Sequence, residues 1–484
     1  MASDSVPEDP WYPKTLLSFD GGGVRGYSSL LILKALMEKI SRLERDDRPT
    51  AMSSADPLQH RTFDPLQHHF IEPIPASQTR EGTVRRALKP GRLGSLSHYL
   101  VSHYFDYIAG TSTGGLIAIM LGRFSMTIDE CIKAYEDLIP MIFARPRRLH
   151  FGNTWLPIYK YDPKALEEAI KSIVESRTGR SGTILKQPNE DMCRIITLAW
   201  QDEPDAERER APVLFRSYRH PKQGYFDERN PGPPSTYPIW QVARATSAAP
   251  PYFKPIKLEP DGNPLIDGGL GANNPSNEAW HSIRQLHNNE SDAVAVLVSI
   301  GTGKGLKKRR TDVKNLYQTM YGLFKTVRAM ATDTHAIHER IQSDMTGYGH
   351  YYRLDVQKGL GDTDVPLDTC KGKMGIDTLN LIRQRTEDYL EKEHAKTLIR
   401  QSAERLVAIR KARSNYLDRD LWERFCHGLE YKCPVPDCHA SGERWKQRLL
   451  LQSHLEEKHR SSFSADTLQS LLDAGKSYSI DEPE

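Results

Sequence analysis

The chain has 484 residues, 38% hydrophobic and 27% charged, enough for two or three soluble globular units with one large core. A formal charge of +3, from 66 basic and 63 acidic side chains, is too balanced to imply a nucleic-acid partner by itself. The longest apolar runs, 116–121 and 293–300, are too short to span a bilayer, and the acidic first residues lack the apolar segment of a secretory signal. A cytoplasmic chain, with at most peripheral membrane contact, is therefore expected.

The first strong pattern is Leu16-Leu17-Ser18-Phe19-Asp20-Gly21-Gly22-Gly23-Val24-Arg25-Gly26. An apolar run ends in glycines, and a helix-prone segment at 27–44 follows, with Leu30, Leu33, Leu36, Met37 and Ile40 at helical spacing. Strand, tight turn and helix N-terminus together leave backbone N–H groups uncovered for a negative oxygen. Gly21, Gly23 and Gly26 also match the dinucleotide-binding spacing, but the helix runs into polar sequence where that reading needs a second strand ending in an acid. The other reading is an oxyanion hole for acyl transfer.

Residues 46–94 form a Pro-, Ser-, Gln- and His-rich interruption in which Asp-Pro-Leu-Gln-His occurs twice. Its His60, His68 and His69, with His98 just beyond, read as a flexible surface insertion rather than a metal site. Order resumes with a strand at 104–109, the turn Gly110-Thr111-Ser112-Thr113-Gly114-Gly115 and an apolar helix at 116–121. This is G-x-S-x-G between strand and helix, the context of a nucleophile elbow. The glycines two residues either side of Ser112 remove side chains that would collide in such a turn.

Helices are expected at 129–142 and 162–172, the second capped by Asp162 with Pro163 in its first position. Strands follow at 194–200 and 213–218, then a short helix at 239–247. Pro264-Leu265-Ile266-Asp267-Gly268-Gly269 reads as a strand end carrying an acid into a glycine turn, before a helix at 277–286 and a β run at 293–300. Gly301-Thr302-Gly303-Lys304 lacks P-loop spacing and reads as a strand-ending turn. Alternating strands and helices indicate an α/β domain with a largely parallel sheet, whose site lies outside the carboxyl ends of the strands. The glycine turn, Ser112 and Asp267 each follow such a strand.

A serine hydroxyl needs a base to take its proton. No histidine follows a strand end in the right region, since His281 and His287 fall on a helix and His220 beside a Pro/Gly loop. Asp267 acting directly on Ser112 is the better candidate, and a dry pocket would raise its basicity.

The three blocks Asp20–Gly26, Gly110–Gly114 and Asp267–Gly269, with Ser-Ala-Ala-Pro at 247–250 and Ala-Asn-Asn-Pro at 272–275, resemble the signature blocks of the patatin-like phospholipases. The resemblance covers roughly 14–303 and departs from the family in the insertion after the first helix. It implies a three-layer α/β/α sandwich with a mainly parallel central sheet. It implies a serine acylhydrolase that cleaves fatty-acyl ester bonds of phospholipids or related lipids with no catalytic cofactor. Ser112 would be the nucleophile and Asp267 the base, with Gly21, Gly22, Gly23 and Arg25 around the oxyanion and Gly110, Gly114, Gly268 and Gly269 as motif glycines. Basic clusters at 145–148 and 307–310 offer contact with anionic lipid.

Beyond the sheet region, 376–413 reads as helical. Of six cysteines, at 131, 193, 370, 426, 433 and 438, three are scattered and three cluster near the end, which is poor material for a disulfide framework. Cys433-x4-Cys438, fifteen residues, then His454-x4-His459 resembles a two-Cys, two-His zinc finger and implies a structural zinc. The middle gap exceeds the usual twelve or so residues, and Cys426, His427 and His439 are spare ligands. Such a unit leaves protein or weak nucleic-acid contact open. The expected partition is a disordered tail at 1–12, a catalytic domain at 13–350, a helical extension at 351–425, the zinc-finger-like unit at 426–465 and a tail at 466–484. The competing reading is a catalytically weak lipid-binding adaptor whose finger holds a partner. Intact Ser112 and Asp267 weigh against it.

Overall fold

The computed structural model describes residues 9–46, 99–143, 146, 159–201, 212–220, 233–234, 236–250, 252–260, 262–303, 334–361, 365–416, 419–440, 442–460 and 465–478. The insertion beyond Asp46 with its histidines, His98, and the basic side chains of both clusters lie outside them.

Alternation along β1 (Lys14–Phe19) decides the layering. Leu16 belongs to one buried cluster, Leu17 and Phe19 to another, because successive side chains point to opposite faces of a sheet. β1 pairs in parallel with β2 (Tyr107–Thr111) and β6 (Val294–Ile300). β2 pairs in parallel with β3 (Arg194–Gln201), and β6 with β7 (His350–Leu354). β4 (Pro212–Arg216) and the three-residue β5 (Leu265–Asp267) both run antiparallel to β3. The seven-stranded order is β4-β3-β2-β1-β6-β7, with β5 attached to β3.

Helices cover both faces. On one, α1 (Gly26–Asp46) packs against α3 (Ile128–Phe143), α8 (Ile376–Leu390) and α9 (Glu393–Ser414), while α2 (Thr113–Ala118), α4 (Pro163–Thr178) and α5 (Ile239–Thr246) fill the region beside them. On the other, Ala279, Trp280 and Ile283 of α6 (Ser276–Leu286), with Ile341 and Met345 of α7 (Thr334–Met345), close over Leu16, Ala109 and Leu297. This is the expected three-layer α/β/α sandwich. No helix among the described residues is long and apolar enough to cross a membrane.

Several expectations shift. The helical run at 376–413 is two helices broken at Glu391-Lys392. The apolar helix after Ser112 is α2 followed by a π turn, Ile119–Arg123. The domain boundary set at 350 falls on the first residue of β7, a sheet strand that Tyr351, Tyr352 and Arg353 disguise from a hydropathy reading. The tail set at 1–12 includes Trp11, which is buried with its ring 5.5 Å from Phe425 of α10 (Arg419–His427) and 6.1 Å from Trp422. The tail set at 466–484 holds α12 (Ala465–Ala474) and β9 (Lys476–Tyr478). β9 pairs with β8 (Leu429–Tyr431), and Leu472 joins Leu429, Tyr431 and the Leu451 and Leu455 of α11 (Arg448–Lys458) in a small separate core. The finger-like unit therefore extends to at least 478.

A buried ion pair locks the N-terminal ends of the central strands β1 and β2. Arg413, at the end of α9, donates to both carboxylate oxygens of Asp106 at 3.1 and 2.8 Å and to the carbonyls of Pro10 and Pro13. Asp106 Oδ2 also accepts from the Thr15 backbone at 2.7 Å. Burial alone would raise the Asp106 carboxyl, but the Arg413 guanidinium, Lys14 and these hydrogen bonds hold it below 3.8. A carboxyl depressed on folding stabilises the protein above its unfolded pKa and loses that contribution as pH falls through the folded value. Urea midpoints of the wild type should thus fall more steeply below about pH 4 than those of Asp106→Asn. Parallel profiles would show that Asp106 contributes nothing to acid lability.

Candidate functional site

Ser112 sits where β2 turns into α2. Its φ of 56° is the left-handed region, unusual for a residue with a Cβ. Its own backbone N–H donates to Thr246 Oγ1 at 2.8 Å, and that hydroxyl donates onward to the Leu198 carbonyl of β3. Thr246 thus ties the elbow to the sheet. It precedes the Ser-Ala-Ala-Pro block by one residue and carried no signal in the sequence beyond that adjacency. The glycine reading holds physically: a Cβ on Gly110 would come within 2.0 Å of the Gly114 carbonyl oxygen, and one on Gly114 within 2.4 Å of the Phe19 carbonyl oxygen. Gly114 is therefore where the elbow rests on the end of β1.

Asp267 reaches Ser112 by an unexpected route. β4 covers β3 over 196–200, so β5, paired to 199–201, must lie on the opposite edge, the one β2 occupies at 194–198. Thr111 is opposite Leu198 and Asp267 is opposite Ala199. The acid enters antiparallel to the parallel strands and stops one register position beyond the residue preceding Ser112. Ser112 Oγ donates to Asp267 Oδ2 at 2.5 Å, and Gly269 N–H donates to Oδ1 at 2.7 Å. Among the described residues Ser112 Oγ bonds to no histidine. Asp267 is 4% exposed, whereas Ser112 opens partly to solvent. A Cβ on Gly268 would come within 2.7 Å of the Leu198 carbonyl oxygen, so the glycines after Asp267 allow β5 to lie flat on β3.

The glycine turn closes the other side. A Cβ on Gly21 would stand 3.0 Å from the Ser112 Cβ. Its predicted donors divide into used and unused. Gly21 N–H donates to the Asn273 carbonyl at 3.1 Å, Val24 N–H to the Leu367 carbonyl at 2.8 Å, and Gly22 N–H makes a long 3.3 Å bond to Thr113 Oγ1. Gly23 and Thr113 N–H have no partner among the described residues, and both residues are partly open to solvent. The Arg25 guanidinium is buried and donates to the carbonyls of Leu360 at 2.8 Å and Gly22 at 3.4 Å. It thus braces the turn through backbone carbonyls on two segments.

A second layer holds the turn. Thr302 Oγ1 donates to the Gly21 carbonyl at 2.9 Å, so the Gly-Thr-Gly turn after β6 buttresses the glycines. Arg353 of β7 donates to both oxygens of Asp20, at 2.9 and 2.5 Å, and to Ser299 Oγ at 2.7 Å. Asp355 accepts from Gly303 N–H at 2.9 Å and lies 3.4 Å from Arg353. Sequence reasoning missed Arg353 because nothing in its local pattern marks it as facing Asp20.

The C-terminal unit brings together the four residues its spacing singled out. One ligand atom from each of Cys433, Cys438, His454 and His459 lies within 4.8 Å of the others. Cys433 Sγ is 3.5 Å from His459 Nε2, and Cys438 Sγ is 3.3 Å from His454 Nε2 and 3.2 Å from His459 Nε2. Tetrahedral zinc with ordinary Zn–S and Zn–N bonds sets its sulfur and nitrogen ligands about 3.5 Å apart, so the cluster fits that ion. Two of the spare ligands pack elsewhere: Cys426 is buried beside Trp11, Trp422 and Phe425, and the His427 ring lies 5.6 Å from that of His103.

Residues 83–280, spanning Ser112 and Asp267 but beginning after the glycine turn, match the family described as "Patatin-like phospholipase". The rat calcium-independent phospholipase A2-gamma is 29% identical over 317 residues, 63% of this chain and 36% of that protein. The rabbit protein of the same name is 34% identical over 262 residues, 51% of this chain and 30% of its own. The mouse 85/88 kDa calcium-independent phospholipase A2 is 27% identical over 304 residues, 57% of this chain and 34% of its own. The chain thus spans about a third of the length of these curated relatives. By the matched residues and the elbow, acid and glycine turn that its sheet brings together, this chain carries a domain of the patatin-like phospholipase family.

Proposed function

We propose that the protein is a serine acylhydrolase acting on fatty-acyl esters of phospholipids or related lipids through a Ser112–Asp267 dyad. The observation that carries the proposal is the 2.5 Å hydrogen bond between Ser112 Oγ and Asp267 Oδ2 on a strained elbow facing the glycine turn. Ser112 Oγ attacks the ester carbonyl while Asp267 Oδ2 takes its proton. The negative oxygen that forms is held by the unpartnered N–H groups of Gly23 and Thr113, assisted by Gly22, whose bond to Thr113 Oγ1 is long enough to yield. Asp267 then returns its proton to the departing alcohol. A water activated by the same carboxylate cleaves the acyl-Ser112 ester and regenerates the hydroxyl. The relatives named for phospholipase A2 activity support a phospholipid substrate. The test is fatty-acid release from a mixed lipid panel by the full chain, paired with mass-spectrometric mapping of a fluorophosphonate adduct. Release together with an adduct on Ser112 is the expected result. No release, or labelling elsewhere, rejects the reading.

We further propose that the Cys433, Cys438, His454 and His459 cluster holds a structural zinc. The small core beside it, Leu429, Tyr431, Leu451, Leu455 and Leu472, is too slight to fold unaided. The purified chain should carry one zinc, and Cys433→Ser should lose it and melt the small unit, seen as new proteolytic cleavage within 429–478. Full metal content in that variant would refute the site.

A further inference from the structure

We propose that the turn at 371–376 is a membrane-docking tip that seats the catalytic mouth on an anionic lipid surface. The proposal rests on the acylhydrolase reading for its purpose, but not for its test. The turn exposes Met374 and Ile376, 63% and 49% accessible, directly after the exposed cations Lys371 and Lys373. Neither ammonium group has an anionic partner among the described residues; of the nearest acids in sequence, Asp368 pairs with Lys160 and Asp377 opens α8. Isolated apolar side chains at a surface are ordinary. Two on one tight turn, preceded by two cations, match the composition of a segment that enters the headgroup region.

The backbone presents these side chains firmly. Met374 has φ 57°, a left-handed conformation rare for a residue with a side chain, between Gly372 at φ 81° and Gly375 at φ 76°. Lys371 N–H donates to Thr378 Oγ1 at 2.9 Å, and Asp377 N–H to the Lys371 carbonyl at 3.1 Å, so the base of the turn is pinned to α8. A Cβ on Gly375 would stand 3.7 Å from Ile139 of α3, so the turn rests on that helix, where Met141 is also 60% exposed. The same loop reaches the active site, because seven residues upstream the Leu367 carbonyl accepts from Val24 of the glycine turn at 2.8 Å. Met374 and the carbonyl that holds the glycine turn thus belong to one loop.

The experiment is sedimentation of the full chain with vesicles of phosphatidylcholine, alone and with phosphatidylserine. Wild type should bind the anionic vesicles more tightly, with added salt removing the difference. Met374→Ser/Ile376→Ser and Lys371→Glu/Lys373→Glu should each weaken binding on the order of tenfold. Vesicle hydrolysis should fall in parallel, while thermal midpoint and turnover of a short soluble ester stay at wild-type values. Wild-type vesicle binding by both variants, or no binding by wild type, overturns the proposal. So does dimerisation of wild type that the Met374→Ser/Ile376→Ser variant abolishes, which would assign the face to a second copy. Failure of the enzyme reading is separable: a chain that binds vesicles through this tip yet cleaves no ester loses its dyad mechanism and keeps its docking face.

Discussion

Ser112→Ala should abolish ester hydrolysis, and Asp267→Asn should lower it by about 10²- to 10⁴-fold, the range expected for loss of a general base. Removing the serine oxygen takes away the nucleophile, so the alanine variant should fall by about 10⁴-fold or more, to background. The asparagine variant keeps the shape of Asp267 and the Gly269 N–H contact but cannot accept a full proton from Ser112. The two effects should not add, because both residues serve one proton transfer. Fluorophosphonate labelling separates the roles: the alanine variant should not react, and the asparagine variant should react slowly at the same residue. Full activity in either variant would eliminate the dyad.

Arg353→Met should cost both stability and turnover. The guanidinium is buried, and its loss leaves the Asp20 carboxylate, 2% exposed, without its bidentate partner beside Asp355. Breaking a buried ion pair by removing one member typically costs about 3–5 kcal/mol. Asp20 precedes the glycine turn, so the variant should also lower kcat more than it raises KM, since the oxyanion donors matter most in the transition state. Adding Asp20→Asn should recover part of the lost stability by removing the stranded charge. Chemical denaturation of the two single variants and the double variant gives the coupling directly, and a coupling near zero would show that the pair does not act as a unit.

The parts of the site that were legible are those set by local backbone need. Gly110 and Gly114 are legible because any side chain there strikes a carbonyl, and Ser112 because strand and helix flank it. Asp267 was legible as an acid at a strand end, but its antiparallel approach was not, since a three-residue strand has no period to read. The path of the Arg25 side chain was not legible, because sequence gives adjacency to the turn and not the direction of a long side chain. Arg353 and Thr246 were invisible because their roles exist only after distant segments pair. The convergence of Cys433, Cys438, His454 and His459 was legible by spacing alone. The β8–β9 pairing that closes their unit was not, because its two strands of three residues each lie more than forty positions apart.

The attachment of β5 to β3 has a consequence for how this domain tolerates added sequence. The elbow that carries Ser112 and the strand that ends in Asp267 are indexed by adjacent rungs of one ladder, Leu198 and Ala199, so their spacing is metered by a single stretch of backbone. Residues 46 and 99, between which the segment that departs from the family lies, belong to none of β2, β3 and β5, so the length of that segment does not enter this register.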